Sequence, residues 1–221
     1  KHLVTLMGCN LRFHPCLFAV KRLIGLGKIG KIISVHAENG SYLPDWHPNE
    51  DYEKGYASRK ELGGGVILTC IHEIDYLYWL FGDVKEVYSM SGKFSDLKIN
   101  SEDLSAIILK FKNNIIAEIH LDYFQRPSSR TCKIIGTKGT IFCDFSSNSV
   151  KYYDIKKKKW FNMIRLAKYD FNSMYVEQTK HFLDCIKNRK KTINDVHQGL
   201  KILKIAMAIL KSSEKGKPVR P

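Results

Sequence analysis

The most informative part of this chain reads Leu62-Gly63-Gly64-Gly65-Val66-Ile67-Leu68-Thr69-Cys70-Ile71-His72-Glu73-Ile74-Asp75. Glycine is costly inside a helix, so three glycines at the start of one indicate that a backbone or a ligand comes close. The apolar run after them predicts a helix over residues 65–81 that ends at Gly82. Within it, His72 and Asp75 are three residues apart and therefore share a face.

A polar pair inside an apolar helix needs hydrogen-bond partners or a chemical use. Histidine is the side chain that most readily takes up a proton near neutral pH, which makes His72 a candidate general base. The alternative is a core histidine that bonds to a backbone carbonyl. Residue types alone leave both interpretations open.

The remaining pattern predicts an α+β domain with strands grouped in the middle of the chain and helices towards both ends. The predicted strands cover residues 3–9, 31–38, 84–94, 103–111, 114–124 and 131–136, with a hairpin across 140–153. The predicted helices cover residues 15–25, 65–81, 173–188 and 195–213. This order indicates one sheet with helices on one face, and a long loop over residues 40–62 that is rich in aromatic and cationic groups.

The last two predicted helices each carry apolar side chains at helical spacing. They are Tyr175, Thr179, Phe182, Leu183 and Ile186 in the first helix, and Val196, Leu200, Leu203, Met207 and Leu210 in the second.

Composition excludes several classes of protein. With 221 residues, 44% hydrophobic, the chain can bury a core, and it contains no apolar run long enough to span a membrane. Its six cysteines form no C-x-x-C pair, a usage that fits reduced thiols in a cytoplasm rather than a disulfide framework or zinc site.

The charge of the chain raises one further class of protein. Its 36 Lys and Arg residues against 22 Asp and Glu residues give a net charge of +14. Such a balance can mark a nucleic-acid binder. The densest run, Lys156 to Lys159, lies between two aromatic strand-like segments, however, and this pattern favours a solvated hairpin tip over a nucleic-acid site. The other cationic residues are spread along the chain, so we expect no nucleic-acid partner. Part of the charge could serve an anionic substrate such as a sugar nucleotide.

Several motifs occur together in a fixed order. They are Asn10-Leu11-Arg12-Phe13-His14-Pro15, Gly27-Lys28-Ile29-Gly30-Lys31-Ile32, Gly63-Gly64-Gly65, His72-Glu73-Ile74-Asp75, Trp79-Leu80-Phe81-Gly82, Gly136-Thr137-Lys138-Gly139-Thr140-Ile141 and Gly199-Leu200. This set resembles the glucose–fructose oxidoreductase/inositol dehydrogenase/MocA family of NAD(P)-dependent sugar oxidoreductases. The resemblance implies a dihydrodipicolinate-reductase-like C-terminal domain with a mixed, largely antiparallel open sheet. It also implies that the open sheet face packs against another subunit.

Members of that family begin with a Rossmann domain that binds the cofactor, and this chain contains none. Residues 25–30 do spell G-x-G-x-x-G, but they follow a predicted helix and precede a strand, the reverse of a dinucleotide loop. We therefore expect residues 1–14 to be a hinge strand and link from a missing nucleotide-binding domain, and residues 15–221 to form the substrate-binding and oligomerisation domain. NAD or NADP would then be bound mainly by the missing domain, with Gly64 and Gly65 near it.

The resemblance also assigns the candidate catalytic residues. His72 matches the family's catalytic histidine, whereas Thr69 stands where many relatives carry an aspartate, and the chain is one residue shorter between the glycines and His72. A threonine hydroxyl can donate or accept a hydrogen bond but cannot act as a carboxylate base. Asp75 is expected to orient the helix or a neighbour.

The candidate substrate-binding residues are Arg12, Trp46, Tyr56, Arg59, Lys60 and Arg126. Aromatic faces suit sugar rings, and arginine suits carboxylate or phosphate groups. No metal site is expected, because the row Glu118, His120 and Asp122 on one side of one strand is seldom enough for one. The chain is thus predicted to serve an oxidoreductase acting on a sugar-type substrate; the alternative is a non-catalytic ligand-binding or scaffold protein that kept the fold.

Overall fold

A computed structural model describes residues 3–221 of the chain. Its helices are α1 (Pro15–Gly25), α2 (Val66–Thr69), α3 (His72–Phe81), α4 (Asn172–Lys187) and α5 (Val196–Lys215). Its strands are β1 (Ile32–Gly40), β2 (Val84–Gly92), β3 (Leu104–Phe111), β4 (Ile116–Asp122), β5 (Ser129–Gly136), β6 (Gly139–Asp144), β7 (Ser149–Asp154) and β8 (Lys159–Arg165).

The eight strands form one open sheet in the order β2-β3-β4-β1-β5-β6-β7-β8. Only β1 and β4 run parallel among these strand pairs, with Ser34 opposite Ile116 and Gly40 opposite Asp122. The other pairs are antiparallel, so the predicted mixed, largely antiparallel sheet is confirmed.

Alternation along the strands sends one set of side chains towards the helices. Val35 and Ala37 of β1 and Ile119 of β4 are buried, whereas the intervening His36 and His120 are not. Helix α1 packs on β6 to β8, α3 on β1 and α5 on β2. All helices that contact the sheet lie on this buried side, as predicted, and the other side of the sheet is open.

Two predicted elements differ from the structure. Residues 3–9 form no strand, because they lie against the segment before α5, where the Met7 N–H donates to the Asn194 carbonyl at 2.8 Å, and not along a sheet edge. The predicted helix over residues 65–81 is two helices, since Cys70 leaves the helical conformation (φ −93°, ψ 35°). Its halves are held by different parts of the sheet, α2 by the residues before β3 and α3 by β5.

Other sequence predictions agree with the structure. Gly82, with φ of 83°, ends α3. The lysine run lies in the turn between β7 and β8, as the hairpin interpretation predicted. None of the helices within residues 3–221 has the length and hydropathy needed to cross a membrane.

Helices α4 and α5 exist as predicted, but their buried faces are not the apolar faces picked out by the sequence. The buried face of α5 consists of Gly199, Ile202, Ile205, Ala206, Ala208, Ile209 and Ser212. The predicted stripe of α5, apart from half-buried Leu210, is exposed.

Candidate functional site

The candidate residues are positioned by the one parallel strand pair. Because β1 and β4 run parallel, their carboxyl ends reach the same edge of the sheet, and the loops after them begin side by side. The Leu43 N–H donates to the Tyr123 carbonyl at 2.8 Å, which joins the two loops. The antiparallel neighbours β3 and β5 begin at the same edge, so Glu102 and Arg130 also lie there.

His72 begins α3, directly after the break in the helix. Its Nδ1 atom is buried and finds no hydrogen-bond partner among residues 3–221, so the core histidine bonded through Nδ1 to a backbone carbonyl is not what the structure contains. Burial and the nearby positive charge of Arg130 lower the pKa of His72 to about 4. The imidazole is therefore neutral at pH 7 and able to accept a proton.

A buried ion pair fixes the first turn of α3, next to His72. Arg130 of β5 donates two hydrogen bonds to the carboxylate of Glu73, at 2.7 and 3.0 Å, and the Glu73 side chain is fully buried. This two-point contact holds the first turn of α3 against the sheet and keeps the guanidinium close to His72. Sequence analysis missed both residues, since no spacing connects position 73 with position 130.

Two hydroxyl groups at the same edge are also without partners. Thr69 Oγ1 and the Tyr123 hydroxyl are buried and lie close enough to interact with each other, but neither has a hydrogen bond of standard geometry within the described part of the chain. Burial raises the pKa of Tyr123, so its hydroxyl keeps its proton. Trp46 packs edge-on against the Tyr123 ring, with ring centroids 5.4 Å apart. We name Thr69, His72 and Tyr123 the edge cluster.

Three further buried oxygens lack partners within residues 3–221: those of Tyr76, Gln178 and Asn194. Tyr76 lies beside the Cys132 thiol and Asn194 beside the Cys9 thiol, which are weak hydrogen-bonding groups. Gln178 belongs to α4. The edge cluster is distinguished by its position at the helix break and at the carboxyl ends of the parallel strands.

Arg12 and Asp75 lie elsewhere, in the interior. The Arg12 guanidinium donates to Asp75 at 2.9 to 3.2 Å, to the Ile193 carbonyl at 2.7 Å and to Gln198 at 2.8 Å. Both side chains of the pair are 0% exposed. Asp75 thus ties α3 to Arg12, and the Arg12 side chain is buried in this ion pair.

The other candidate substrate-binding residues, which belong to loops, lie in three separate places. Trp46 and Tyr56 line a small depression of about 80 Å³. Arg126 stacks on Tyr42, its guanidinium carbon 3.9 Å from the ring centre, and lines a depression of about 540 Å³. Arg59 and Lys60 are exposed beside Glu61 and Asn100.

Gly64 and Gly65 are required by contacts within the chain. A side chain at Gly64 would collide with the carbonyls of Tyr56, Ala57 and Arg59. Gly65 has φ of 102° and lies against the carboxylate of Glu102. The predicted close approach is thus to the chain itself, and these contacts account for both glycines without a cofactor.

The G-x-G-x-x-G segment does not fit a dinucleotide. Gly25 is the last residue of α1, and Gly27 and Gly30, with φ of 62° and 71°, form the turn into β1. No helix N-terminus follows these glycines to receive a pyrophosphate.

The open sheet face carries paired rather than convergent polar groups. His36 bonds Glu118 at 2.8 Å, and His120 bonds Asp122 at 3.2 Å. Within residues 3–221, no group of three or more His, Cys, Asp or Glu side chains is arranged to hold a metal ion. A hollow of about 560 Å³ lies on this face, lined in part by Tyr88, Met90 and Phe142.

Comparison with known proteins places these features in a family. Residues 21–220 match the model described as "Oxidoreductase family, C-terminal alpha/beta domain". The scyllo-inositol 2-dehydrogenase (NAD(+)) of Bacillus subtilis (strain 168) is 25% identical over 97% of this chain and 61% of its own length. The 2,7-anhydro-N-acetylneuraminate hydratase of Escherichia coli (strain K12) is 26% identical over 66% of this chain and 39% of its own.

Among solved structures, levoglucosan dehydrogenase in complex with NADH superposes with a TM-score of 0.89 at 16% identity, over 100% of this chain and 66% of that one. At this identity the likeness shows the fold alone. The chain spans about three fifths to two thirds of the length of the dehydrogenases it matches from end to end. By the match over residues 21–220, the chain belongs to the glucose–fructose oxidoreductase/inositol dehydrogenase/MocA oxidoreductase family, as its C-terminal alpha/beta domain.

Proposed function

We propose that this chain is the substrate-binding and oligomerisation domain of an NAD(P)-dependent oxidoreductase that acts on a sugar, sugar nucleotide or related polyol by hydride transfer. The observation that carries the proposal is the edge cluster, in which three buried polar atoms have no partner within residues 3–221. A buried polar atom without a hydrogen bond costs about 1–3 kcal/mol. A polyhydroxylated substrate offers the donors and acceptors that would remove this cost. The names of the relatives, an inositol dehydrogenase and an anhydro-sugar-acid hydratase, support a sugar-type substrate.

In this proposal His72 takes the proton from the hydroxyl that is oxidised. Its imidazole is neutral at pH 7 and its Nδ1 atom is free of other bonds to residues 3–221, so the ring can accept a proton, although a pKa of about 4 makes it a weak base. Thr69 and Tyr123 orient the same hydroxyl or its neighbour. Trp46 supports Tyr123 from the side and presents an aromatic surface near a sugar ring.

NAD or NADP, when bound, supplies the hydride acceptor. The glycine segment at residues 25–30 does not fit a dinucleotide, so we assign the cofactor mainly to a nucleotide-binding domain outside this chain. Accordingly, the 221-residue chain alone is expected to be inactive. Hydride transfer by the isolated chain would refute this assignment.

We further propose that a second copy of the protein covers the open sheet face. Met90 and Ile108 are 64% and 46% exposed there, around the hollow described above. Light scattering of the chain and of a Met90→Glu, Ile108→Glu variant tests this: the native chain is expected to be at least a dimer and the variant a monomer. A monomeric native chain would count against the proposal. The six free thiols fit a reducing cytoplasm, where we place the protein.

The second candidate is a non-catalytic ligand-binding or scaffold protein. Thr69, in place of the aspartate carried by many relatives, favours it, because the hydroxyl cannot act as a base. Under this alternative the edge cluster would bind a sugar without hydride transfer.

One experiment separates the two candidates. The full-length gene product, purified from its own cells, is assayed for NAD(P)-linked oxidation of a panel of sugars and polyols that includes scyllo-inositol and levoglucosan. Turnover that falls at least about 100-fold in His72→Ala, but not in the exposed control Lys157→Ala, supports the enzyme. No turnover across the panel, with binding of a sugar retained, would favour the ligand-binding alternative.

A further inference from the structure

A depression at the sheet edge combines aromatic rings with two opposite charges. It holds about 540 Å³, which lies within the range of about 300–1,000 Å³ typical of small-molecule sites. Six of the side chains that line it matter to the argument: Tyr42, Tyr52, Phe94, Asp96, Phe124 and Arg126. We name these six residues the Arg126 depression.

The Phe94 ring is held in an exposed position by a buried anchor. The side chain is 67% exposed, and the ring lies against Gly92, where an added Cβ would come within 3.1 Å of it. The fully buried carboxylate of Asp103 accepts from the Phe94 N–H at 2.7 Å, from the Ser95 N–H at 3.0 Å and from Ser95 Oγ at 2.6 Å. The loop that carries this ring is therefore fixed, and the ring offers an apolar surface to a ligand.

The Arg126 guanidinium is also fixed, and its charge is free. The side chain is exposed, and its guanidinium carbon lies 3.9 Å from the centre of the Tyr42 ring. It takes part in no ion pair within residues 3–221. A planar guanidinium binds phosphate through two parallel hydrogen bonds, which a stacked ring leaves available. The exposed carboxylate of Asp96 adds an acceptor.

These groups match the parts of a nucleoside diphosphate. A nucleobase stacks on aromatic side chains, its phosphates pair with a guanidinium, and its ribose hydroxyls donate to a carboxylate. A free sugar would leave the charge of Arg126 unpaired, and inorganic phosphate would leave the aromatic rings uncovered. The nucleoside diphosphate uses all three kinds of group at once.

A row of aromatic side chains connects the Arg126 depression with the edge cluster. Tyr52 lines both this depression and the smaller one of about 80 Å³, which Trp46 and Tyr56 also line. Trp46 in turn packs against Tyr123 of the edge cluster, with ring centroids 5.4 Å apart. A sugar joined to a diphosphate in the Arg126 depression can therefore extend along these rings towards the edge cluster.

We propose that the Arg126 depression binds the nucleoside diphosphate part of a sugar-nucleotide substrate, whose sugar lies at the edge cluster. Phe94 stacks on the base, Arg126 binds the diphosphate and Asp96 accepts from the ribose hydroxyls. The inference rests on the proposed function for the reaction of the sugar. It narrows the substrate class from sugars and polyols to sugars activated by a nucleotide.

The first test is a calorimetric titration of the 221-residue chain with UDP, CDP, GDP, ADP and dTDP, and with inorganic pyrophosphate for comparison. The glycine segment at residues 25–30 does not fit a dinucleotide, so binding is not expected there. At least one of the nucleoside diphosphates is expected to bind at least about 10-fold more tightly than pyrophosphate, because stacking of the base adds to the charge interaction.

Variants locate the binding. Arg126→Gln is expected to weaken it at least about 10-fold and Phe94→Ala at least about 5-fold. Lys157→Gln removes a charge from the β7–β8 turn, and Phe18→Ala removes a ring that is 47% exposed on α1, so these matched controls should leave the Kd unchanged. All four side chains lie at the surface, and equal urea midpoints check that the variants are folded.

Three results would overturn the proposal. One is that no nucleoside diphosphate binds with a Kd below about 1 mM, or that pyrophosphate binds as tightly. Another is nucleotide binding that Arg126→Gln and Phe94→Ala both leave unchanged. The third is a Phe94→Ala chain that changes from oligomer to monomer without any nucleotide binding by the native chain, since the ring would then belong to an interface between copies.

Assays of the full-length gene product separate this inference from the proposed function. With a sugar nucleotide as substrate, Arg126→Gln is expected to raise KM more than it lowers kcat, because the diphosphate contact is made before and during hydride transfer. Turnover of free sugars by a protein that binds no nucleoside diphosphate would overturn the inference and leave the proposed function standing. Nucleotide binding that depends on Arg126 and Phe94, without hydride transfer, would refute the proposed function and leave the nucleotide site standing.

Discussion

Two buried polar clusters each include a residue from the first turn of α3, Asp75 in one and His72 in the other, and they differ in how their atoms are bonded. Arg12 and Asp75 are completely buried, and the guanidinium donates to Asp75, Ile193 and Gln198. In the edge cluster, by contrast, Thr69, His72 and Tyr123 each have a buried atom without a partner in the described chain. Bonded polar groups stabilise the fold, whereas unbonded ones cost stability and persist where a ligand uses them. This difference, together with the position of the edge cluster at the carboxyl ends of the parallel strands, is why we assign the Arg12–Asp75 cluster to the scaffold and propose the edge cluster as the site.

The largest effect is expected from breaking the bonded cluster. Arg12→Met leaves the carboxylate of Asp75 buried and unpaired, and should lower the free energy of unfolding by about 3–5 kcal/mol. Arg126→Met is the control, because Arg126 contacts the Tyr42 ring at the surface and should cost less than about 1 kcal/mol. Urea unfolding of the 221-residue chain measures both. Equal losses of unfolding free energy in the two variants would show that the buried Arg12–Asp75 pair contributes no more to stability than an exposed contact.

A smaller loss is expected at the ion pair beside the edge cluster. Arg130→Met leaves Glu73 unpaired, but the Arg130 side chain is 25% exposed, so about 2–3 kcal/mol is expected. The variant also removes a positive charge and leaves a negative one near His72, so the pKa of His72 should rise from about 4. A histidine NMR titration reads this shift, with Lys133→Met on the open face as control. An unmoved His72 pKa would mean that Arg130 does not act on this ring.

The low pKa of His72 should also appear in the pH dependence of stability. The pKa of His72 is about 4 in the folded chain, whereas an ordinary histidine has a pKa of 6.5. Between these two pH values the unfolded chain therefore binds more protons than the folded chain. Stability therefore falls as the pH is lowered through this window, by about 2–3 kcal/mol from pH 7 to pH 4.5. In His72→Gln this part of the loss should disappear.

Urea unfolding at the two pH values measures the loss for the native chain, His72→Gln and the control His197→Gln. His197 is exposed, and its replacement should leave the loss unchanged. If His72→Gln lost as much stability in acid as the native chain, the buried, neutral state of His72 would be wrong.

The smallest effects are expected in the edge cluster itself. Thr69→Val and Tyr123→Phe remove hydroxyls that have no partner within residues 3–221, so each should change the free energy of unfolding by less than about 1 kcal/mol. Either variant could be slightly stabilising, because a desolvated hydroxyl is removed. A loss above about 2 kcal/mol would reveal a hydrogen bond and move that residue into the scaffold.

The sequence predicted much of the fold because strand alternation and helix spacing follow burial directly. Glu118, His120 and Asp122 share one side of β4, as their spacing predicts, and the first two are exposed whereas Asp122 is buried. What could not be predicted depends on contacts between distant segments. Nothing near Cys70 signals the break between α2 and α3, since the two halves are held by Glu102 and Arg130.

The sequence alone identified the histidine of the candidate site, but it identified fewer of the residues around it. Tyr123 continues the apolar alternation of β4 beyond the end of the strand, and that is the signal that places it under α2. Arg12 has the charge of a ligand-binding residue, but its burial against Asp75 is a long-range contact that residue type does not reveal. The exposed stripe of α5 was visible as a pattern, whereas its exposure required the structure.

The central claim is that His72 serves chemistry rather than stability. The most direct test measures both on one variant, His72→Gln in the full-length protein at pH 7. The account predicts that the free energy of unfolding changes by less than about 1 kcal/mol while NAD(P)-linked turnover falls at least about 100-fold. A variant that keeps its turnover but loses stability would contradict it and make His72 a residue of the scaffold.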